Sequence, residues 1–225
     1  MEQFNRLTKI ISNDKFNKIK NAKMIIVGIG GVGGAAFEML VRCGVNNITI
    51  VDFDTFEESN LNRQILSLLD NVNEYKTDVA KKRALSINKD IKIKAYNKTV
   101  SSQTINEIFE TNYDYIIDAC DDVDAKMLLI KTAINMNIKI ISSMGTGNKF
   151  HPEFLEITNI WKTEYDPLAK AIRNRMRKEH ISYKLPVVSS KEKCLKVSNE
   201  IGSVSVVPNA AGILLASYVI NDVLK

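Results

Sequence analysis

The chain has 225 residues, 45% of them hydrophobic and 25% charged, which is an ordinary composition for a folded globular protein. This length supports one α/β domain with a sizeable core and is too short for two large domains. With 31 basic and 26 acidic residues the net charge is +5, which permits a polyanionic partner but is equally typical of a merely basic protein.

Cysteine and histidine are scarce in the sequence. The three cysteines are Cys43, Cys120 and Cys194, no CxxC pair occurs, and there are two histidines. This spacing supports neither a disulfide framework nor a four-cysteine zinc site, so we expect no zinc. The N-terminus lacks the apolar core of a signal peptide, and the longest apolar stretch is interrupted by polar residues. We therefore expect a cytoplasmic protein without a membrane partner.

An amphipathic helical segment, or two, is predicted in residues 3–20 and contains Arg6. The next stretch has the order of a nucleotide-binding βαβ unit. A strand at residues 24–27 leads into the loop GIGGVG, a helix, and a second strand at residues 48–51 that is followed by Asp52. Asp52 is in position to accept hydrogen bonds from ribose hydroxyls. The loop glycines permit a tight turn and let backbone N–H groups approach a phosphate, and they are Gly28, Gly30, Gly31 and Gly33.

This glycine fingerprint by itself suits NAD, FAD or ATP, and the polar residues after it narrow the choice. They are Asp54, Asn60, Arg63, Gln64 and Lys76. A dehydrogenase has no evident use for an arginine and a lysine so soon after the ribose acid. An enzyme that handles a triphosphate uses such cations and amides to hold the phosphates. Lys76 also lies on the inward face of a helix predicted at residues 74–87, where a lysine needs an anionic partner.

The middle of the chain completes a sheet. Further strands are predicted at residues 91–95, 113–117 and 138–142, with helices at 103–110 and around 125–133. We predict an α/β fold with a Rossmann-like, doubly wound, mostly parallel sheet and an added C-terminal α+β portion. Residues 1–225 are expected to form one domain. It has an N-terminal helical segment (1–22), a nucleotide-binding core (23–143) and a substrate-side portion with the C-terminal helix (144–225).

Acidic residues follow the fourth strand, at Asp118, Asp121 and Asp122. The carboxyl ends of parallel strands line the ligand crevice, and Mg²⁺ prefers a few carboxylates together with phosphate oxygens. Asp118 and Asp122 suit helix N-caps equally well, and for Asp122 we favour the cap.

A basic helix is predicted after Asp166 and Pro167, which are a helix cap and a first helical residue. Lys170, Arg173 and Arg177 gather on one side of this helix. Plain solvation is the usual role of such a face. The basic pI, together with the family motif that this helix matches as described below, favours contact with a nucleic-acid backbone instead.

Three features in order resemble the ubiquitin-activating-enzyme superfamily in its bacterial form, which includes the ThiF and MoeB adenylyltransferases. They are GIGGVG, DFDTFEESNLNRQ, and Lys76 thirteen residues after Arg63. The resemblance implies ATP-dependent adenylation of a carboxylate, with Arg63, Lys76 and Asp121 as catalytic residues and Mg²⁺ at Asp121. It also implies a homodimer in which Arg6 reaches the ATP bound by the partner. A solvated helix arginine is the alternative for Arg6.

The last third resembles the tRNA threonylcarbamoyladenosine dehydratase branch of that superfamily. The matching motifs are GTGNK, KTEYDPLAKAIRNRMRK, VVSSKE and GSVSVVP. This implies ATP-dependent cyclisation of threonylcarbamoyladenosine beside the anticodon, with tRNA as partner, and it raises a cysteine-desulfurase or sulfur-acceptor system as a second partner. The proline expected after the acid Glu192 is absent, and we take Cys194 as structural or incidental.

Two rival functions remain from the sequence. One is a carrier-protein activator that adenylates a Gly-Gly tail, which the missing zinc cysteines and the basic helix disfavour. The other is a non-catalytic nucleotide-binding partner in a redox or cysteine-desulfurase complex. The retained Arg63, Lys76 and Asp121 disfavour this second function.

Overall fold

The computed structural model describes residues 2–195 and 199–225, and its centre is one sheet of seven strands. The strands are β1 (Lys23–Val27), β2 (Asn47–Val51), β3 (Lys92–Tyr96), β4 (Tyr115–Asp118), β5 (Lys139–Ser143), β6 (Leu155–Asn159) and β7 (Pro186–Ser190). Their order across the sheet is β3-β2-β1-β4-β5-β7-β6, and every neighbouring pair is parallel except β6 and β7. The predicted fold class is confirmed.

The helices cover both faces of this sheet. They are α1 (Asn13–Asn21), α2 (Gly31–Arg42), α3 (Lys76–Ile87), α4 (Ile105–Ile108), α5 (Val123–Met136), α6 (Pro167–Lys178) and α7 (Val206–Val223). The segment predicted at residues 3–20 is a 3₁₀ turn, Glu2–Phe4, followed by turns and α1. The helix predicted at 103–110 is shorter than expected. The Thr104 hydroxyl accepts a hydrogen bond from the Ser101 amide and donates one to the Thr99 carbonyl, so the residues before Ile105 form a turn.

Two apolar cores lie on the two sides of the sheet, as the alternation of side chains along β1 requires. Met24 and Ile26 belong to the core beneath α2, α3 and α7. Ile25 and Val27 belong to the core beneath α4, α5 and α6. All four side chains are buried, so β1 is covered on both faces, as expected for a central parallel strand.

Helix α7 packs closely on α2, although its length and composition alone would allow it to cross a membrane. A Cβ atom on Gly212 would lie 2.2 Å from the Val32 carbonyl oxygen, so only glycine permits this approach. The face of α7 that meets the sheet and α2 is buried, and it includes Val207, Ala211, Leu215 and Val219. We conclude that α7 is a core helix.

The C-terminal portion extends the same sheet. β7 pairs with β5 in parallel, and β6 returns antiparallel to β7 at the sheet edge. An added C-terminal α+β portion was predicted from the sequence, but β7 was not identified there. The division of the single predicted domain at residues 22 and 143 stays a prediction.

Candidate nucleotide site

A cavity of about 370 Å³ opens at the carboxyl ends of β1, β2, β3 and β4. It brings together most residues that the sequence assigned to a nucleotide. Those on its wall are Gly28, Gly30, Gly31, Asp52, Asp54, Asn60, Arg63, Gln64, Lys76 and Asp121.

The glycine loop divides into residues that shape the backbone and residues that face the cavity. Gly28 has a φ of 87°, and a Cβ there would lie 2.8 Å from the Ala119 carbonyl carbon. Gly33 lies beneath the loop, where a Cβ would be 1.7 Å from the Gly28 carbonyl oxygen. At Gly30 the nearest atom to such a Cβ is 3.9 Å away, in the Gln64 side chain. Gly30 therefore leaves the N-terminus of α2 open to a phosphate, whereas a Cβ on Gly31 would lie 3.1 Å from the Pro208 Cβ atom.

Asp52 joins the end of β2 to the glycine loop. One carboxylate oxygen accepts the Ile29 amide at 2.6 Å, and the other accepts the Asp54 amide at 2.9 Å. Burial raises the pKa of Asp52, and these two amides and the charge of Lys76 oppose that rise. Each oxygen keeps a further lone pair, so the carboxylate can still accept a ribose hydroxyl.

The Lys76 ammonium is buried and lies 2.9 Å from an oxygen of Asp54, whose side chain is half exposed. The anionic partner that the sequence required for Lys76 is therefore a protein carboxylate in this structure. The Lys76 amide also donates to the Asp54 carbonyl at 3.0 Å, which fixes the start of α3 against the cavity.

The loop before α3 supplies an arginine and two amides. The Arg63 guanidinium donates to the Ser59 carbonyl at 2.7 Å and to the Asn62 side chain at 3.0 Å. Asn60 is buried and accepts the Glu57 amide at 3.2 Å. Within residues 2–195 and 199–225, the buried Gln64 Oε1 has no hydrogen-bond partner, which costs free energy unless a ligand supplies a donor.

The three acids after β4 have three different environments. Asp118 is fully buried and pairs with the Lys126 ammonium at 3.0 Å. Asp122 accepts the Ala125 amide at 2.7 Å as the N-cap of α5, which confirms the prediction for this residue. Asp121 is exposed on the cavity wall. It is therefore the carboxylate of this set that is free to contact a metal held by phosphate oxygens.

Cys120 lies on the cavity wall, and its Sγ is 3.0 Å from Asp118 Oδ1. Burial and the neighbouring Asp118 carboxylate raise the pKa of this thiol well above its ordinary value. A thiol held protonated is a poor nucleophile, so the site does not favour thioester chemistry at this cysteine.

Arg6 and the basic helix lie apart from this cavity. Arg6 is exposed in the turns that precede α1 and does not line the wall. On α6, Arg173 donates to the Ile160 carbonyl at 3.3 Å and to the Thr163 hydroxyl. The Arg177 guanidinium is 5.5 Å from the centre of the Trp161 ring, and Lys170 is exposed. The predicted basic face is thus partly used for internal contacts.

Other lining residues were missed from the sequence. Lys98, Thr99 and Val100 follow β3, and Thr146, Ser203 and Pro208 come from the C-terminal portion. The rule that ligands bind at the carboxyl ends of parallel strands could have found the first three. The last three lie in the motifs GTGNK and GSVSVVP, which carry the family resemblance but were not assigned to the nucleotide.

Comparisons with known proteins agree with this geometry. A family model described as the ThiF family matches residues 3–220. A tRNA threonylcarbamoyladenosine dehydratase of Bacillus subtilis is 34% identical over an alignment that spans 100% of this chain and 96% of the relative.

Among solved structures, the E. coli tRNA N6-threonylcarbamoyladenosine dehydratase TcdA in complex with ATP has a TM-score of 0.94 and 28% identity. That match covers 99% of this chain and 94% of the other. An adenylyltransferase and sulfurtransferase, UBA4 of Vanderwaltozyma polyspora, is 34% identical over 63% of this chain and 32% of its own length.

Proposed function

Because this chain belongs to the ThiF family, we propose that it is an ATP-dependent tRNA-modifying enzyme that dehydrates threonylcarbamoyladenosine next to the anticodon to its cyclic form. The observation that carries the proposal is the extent of the similarity. The relative with the dehydratase name matches 100% of the chain, whereas the adenylyltransferase and sulfurtransferase matches 63%. The residues beyond the nucleotide-binding core therefore also follow the dehydratase pattern.

The chemistry requires activation of a carboxylate. Hydroxide is a poor leaving group, so the side-chain carboxylate of threonylcarbamoyladenosine does not cyclise unaided. Its oxygen attacks the α-phosphorus of ATP, which forms an acyl adenylate and releases pyrophosphate. An atom of the carbamoyl group then attacks the activated carbonyl, closes the ring and releases AMP. The oxygen formally lost as water leaves on AMP.

In this reaction the protein holds the nucleotide and stabilises negative charge. The amides at Gly30 and Gly31 face the phosphates, and Asp52 accepts the ribose. Lys76 exchanges the carboxylate of Asp54 for a phosphate oxygen, and Arg63 provides a second cation. The proposal for Lys76 is supported by the 2.9 Å separation of the Lys76–Asp54 pair at the cavity wall.

We also propose that Mg²⁺ accompanies ATP and neutralises phosphate charge. Asp121 would hold it, since Asp118 and Asp122 are already bonded to Lys126 and the Ala125 amide. In the part of the chain that the structure describes, no group of three or more histidine, cysteine, aspartate or glutamate residues gathers to hold a metal. Mg²⁺ suits such a site because it accepts one or two carboxylates and takes its other ligands from phosphates and water.

A homodimer is the proposed assembly, and Arg6 is proposed to act on the partner's nucleotide. Two observations support this. Arg6 is exposed and outside the cavity of its own chain. Ile65, Leu68 and Leu69, which follow Arg63 on the cavity loop, expose 50%, 60% and 75% of their surface, as residues at a subunit interface do in an isolated protomer.

The tRNA contact is proposed to include Lys170 and Arg177 on α6, with Arg173 supporting the helix. The location is proposed to be cytoplasmic, where tRNA and ATP are available. A cysteine-desulfurase or sulfur-acceptor partner rests on the resemblance alone.

The test compares three substrates in one assay. Pyrophosphate release is measured with threonylcarbamoylated tRNA, unmodified tRNA and a Gly-Gly-tailed carrier protein, and tRNA nucleosides are analysed by mass. We expect release with the modified tRNA and a product lighter by one water. Stimulation by the carrier protein alone would show instead that the chain is a carrier-protein activator.

A further inference from the structure

A second cavity, of about 530 Å³, adjoins the nucleotide cavity. Ser203 lines both, so the two spaces meet at this residue. The second cavity is formed by the loop before α3, the GTGNK loop and the segment before α7. Its wall includes Asn62, Asn148, Lys149, Phe150, Ser203 and Ser205.

Hydrogen bonds from the GTGNK loop and from the loop before α3 hold the segment that precedes α7. The Asn148 amide donates to the Gly202 carbonyl at 2.8 Å, and the Gly202 amide donates to the Asn148 side chain at 2.7 Å. The Asn62 side chain donates to the Ser203 carbonyl at 3.0 Å. Asn148 adopts a left-handed φ of 56° to make these bonds. These hydrogen bonds therefore fix the cavity wall as a defined part of the fold.

Lys149 is a buried cation on this wall, with 3% of its surface exposed. Its ammonium donates to the Ser190 carbonyl at 3.3 Å and lies 3.8 Å from Asp166 Oδ2. Asp166 is itself the N-cap of α6, where its other oxygen accepts the Ala169 amide at 2.9 Å. Among the described residues, the ammonium thus fills one of its three donor positions with a hydrogen bond. The Asp166 carboxylate compensates part of this charge and only 1% of the Lys149 side chain is exposed, so the cation acts on an anion in the adjoining space by electrostatic attraction and not by direct contact.

Phe150 gives the same cavity an apolar wall. Its side chain is 57% exposed, so its position is not explained by core packing. Exposed aromatic rings beside a polar cavity are suited to stacking against an unpaired base. The cavity thus combines an aromatic face, amide and hydroxyl groups, and a cation.

We propose that this cavity binds the modified nucleoside of the substrate, an adenine that carries a carbonyl-linked side chain with a free carboxylate. This inference rests on the proposed function. The base stacks on Phe150, and Lys149 attracts the side-chain carboxylate towards Ser203, beyond which the nucleotide cavity begins. Lys149 and Phe150 then determine which nucleoside is accepted, while the residues of the nucleotide cavity perform the adenylation.

The direct test places a negative charge in the cavity. Phe150→Asp is compared with Phe154→Asp, an equal change four residues away at a phenylalanine that is 47% exposed and outside the cavity wall. Dissociation constants are measured for ATP and for a short anticodon stem-loop with and without the threonylcarbamoyl group, at one salt concentration. Both phenylalanines are about half exposed, so both variants are expected to fold.

We expect Phe150→Asp to weaken binding of the modified loop about tenfold or more, a loss in the range of one base–aromatic stack. The preference of the wild-type protein for the modified loop should disappear, and ATP affinity should stay the same. Phe154→Asp should keep the preference. Equal behaviour of the two variants on both loops would overturn the proposal.

Substitutions of Lys149 provide a second, independent test of the proposal. Lys149→Gln should raise KM for modified tRNA and leave KM for ATP unchanged, and Lys149→Arg should restore part of the loss. An unchanged KM in Lys149→Gln would contradict the assignment of the cation. The proposed function is judged from the wild-type protein alone, because failure to form the cyclic nucleoside there would refute it whatever the variants do.

Discussion

The carboxylate of Asp118 and the ammonium of Lys126 lie 3.0 Å apart, and neither side chain has any surface in contact with solvent. Ser142 donates to Asp118 at 2.6 Å, and Lys126 donates to the Ser142 hydroxyl and the Ser143 carbonyl. Asp118 also accepts the Cys120 amide at 3.3 Å, so this buried pair fixes the turn that presents Asp121 to the cavity.

Removing one partner of that pair should destabilise the protein strongly. Lys126→Met leaves a buried carboxylate without its cation, and we expect a loss of about 3–5 kcal/mol in the free energy of unfolding. Urea unfolding followed by circular dichroism measures it. Lys94→Met breaks an exposed pair with Glu110 and serves as control, with a much smaller expected loss because solvent screens an exposed pair. Similar losses in the two variants would show that the buried pair contributes no more to stability than an exposed pair does.

Asp121 and Asp122 are adjacent carboxylates with separate predicted roles. Asp121→Ala should abolish formation of the cyclic nucleoside with an unchanged unfolding midpoint, since its side chain faces the cavity. Asp122→Ala should retain activity but lose about 1 kcal/mol of stability, because it removes the N-cap of α5. Product analysis and thermal unfolding on both variants separate the two roles. Normal turnover in Asp121→Ala at saturating ATP and Mg²⁺ would refute the metal assignment.

Lys76 should be required for turnover. Lys76→Ala removes the cation that faces the phosphates, and we expect no detectable pyrophosphate release at saturating ATP. Lys82→Ala is a matched control on the same helix, where the lysine is exposed and paired with Glu74. Its activity should equal that of the wild type. Equal activity of the two variants would contradict the role of Lys76 in the reaction.

Substitutions at two glycines of the loop should impair the protein in different ways. Gly30→Val should fold and lose ATP binding, because the new side chain occupies the space of a phosphate. Gly33→Ala should prevent folding, since its Cβ would lie 1.7 Å from the Gly28 carbonyl oxygen. Isothermal titration with ATP and circular dichroism provide the two measurements. Tight ATP binding by Gly30→Val would show that the loop has only a structural role.

Arg6 can be tested by mixing subunits. If Arg6 acts on the partner's nucleotide, Arg6→Ala and Asp121→Ala protomers are each inactive alone and regain partial activity after exchange. In a mixed dimer, one of the two sites then contains both wild-type residues. Subunit exchange must be demonstrated separately. If the mixture then stays inactive, Arg6 acts within its own chain or has no role in catalysis.

Local sequence patterns predicted the parts of this structure that depend on neighbouring residues. The order of strand, glycine loop, helix and acid located the cavity, and Asp122 and Asp166 cap helices because they precede suitable first turns. The fold class followed from apolar periodicity and the alternation of strands with helices.

Features that depend on distant pairing were not predictable in this way. Lys126 meets Ser142 only because β4 and β5 are neighbours, and Lys76 meets Asp54 although the two residues are 22 positions apart in the chain. The insertion of β7 between β5 and β6 is likewise a property of the assembled sheet. The role of Arg173 towards a nucleic acid stays a prediction, and its contacts with Ile160 and Thr163, which precede α6 in the chain, had no local signal.

The close packing of α7 on α2 has a consequence for synthesis of the protein on the ribosome. α2 carries the glycine loop near the start of the chain, whereas Pro208 and the Asn209 contact to the Arg63 carbonyl, at 2.9 Å, come from α7. Translation proceeds from the N-terminus, so the loop emerges long before the helix that supports it. A nascent chain that ends before residue 206 therefore has an incomplete nucleotide cavity. We expect nucleotide binding to begin only once α7 has left the exit tunnel.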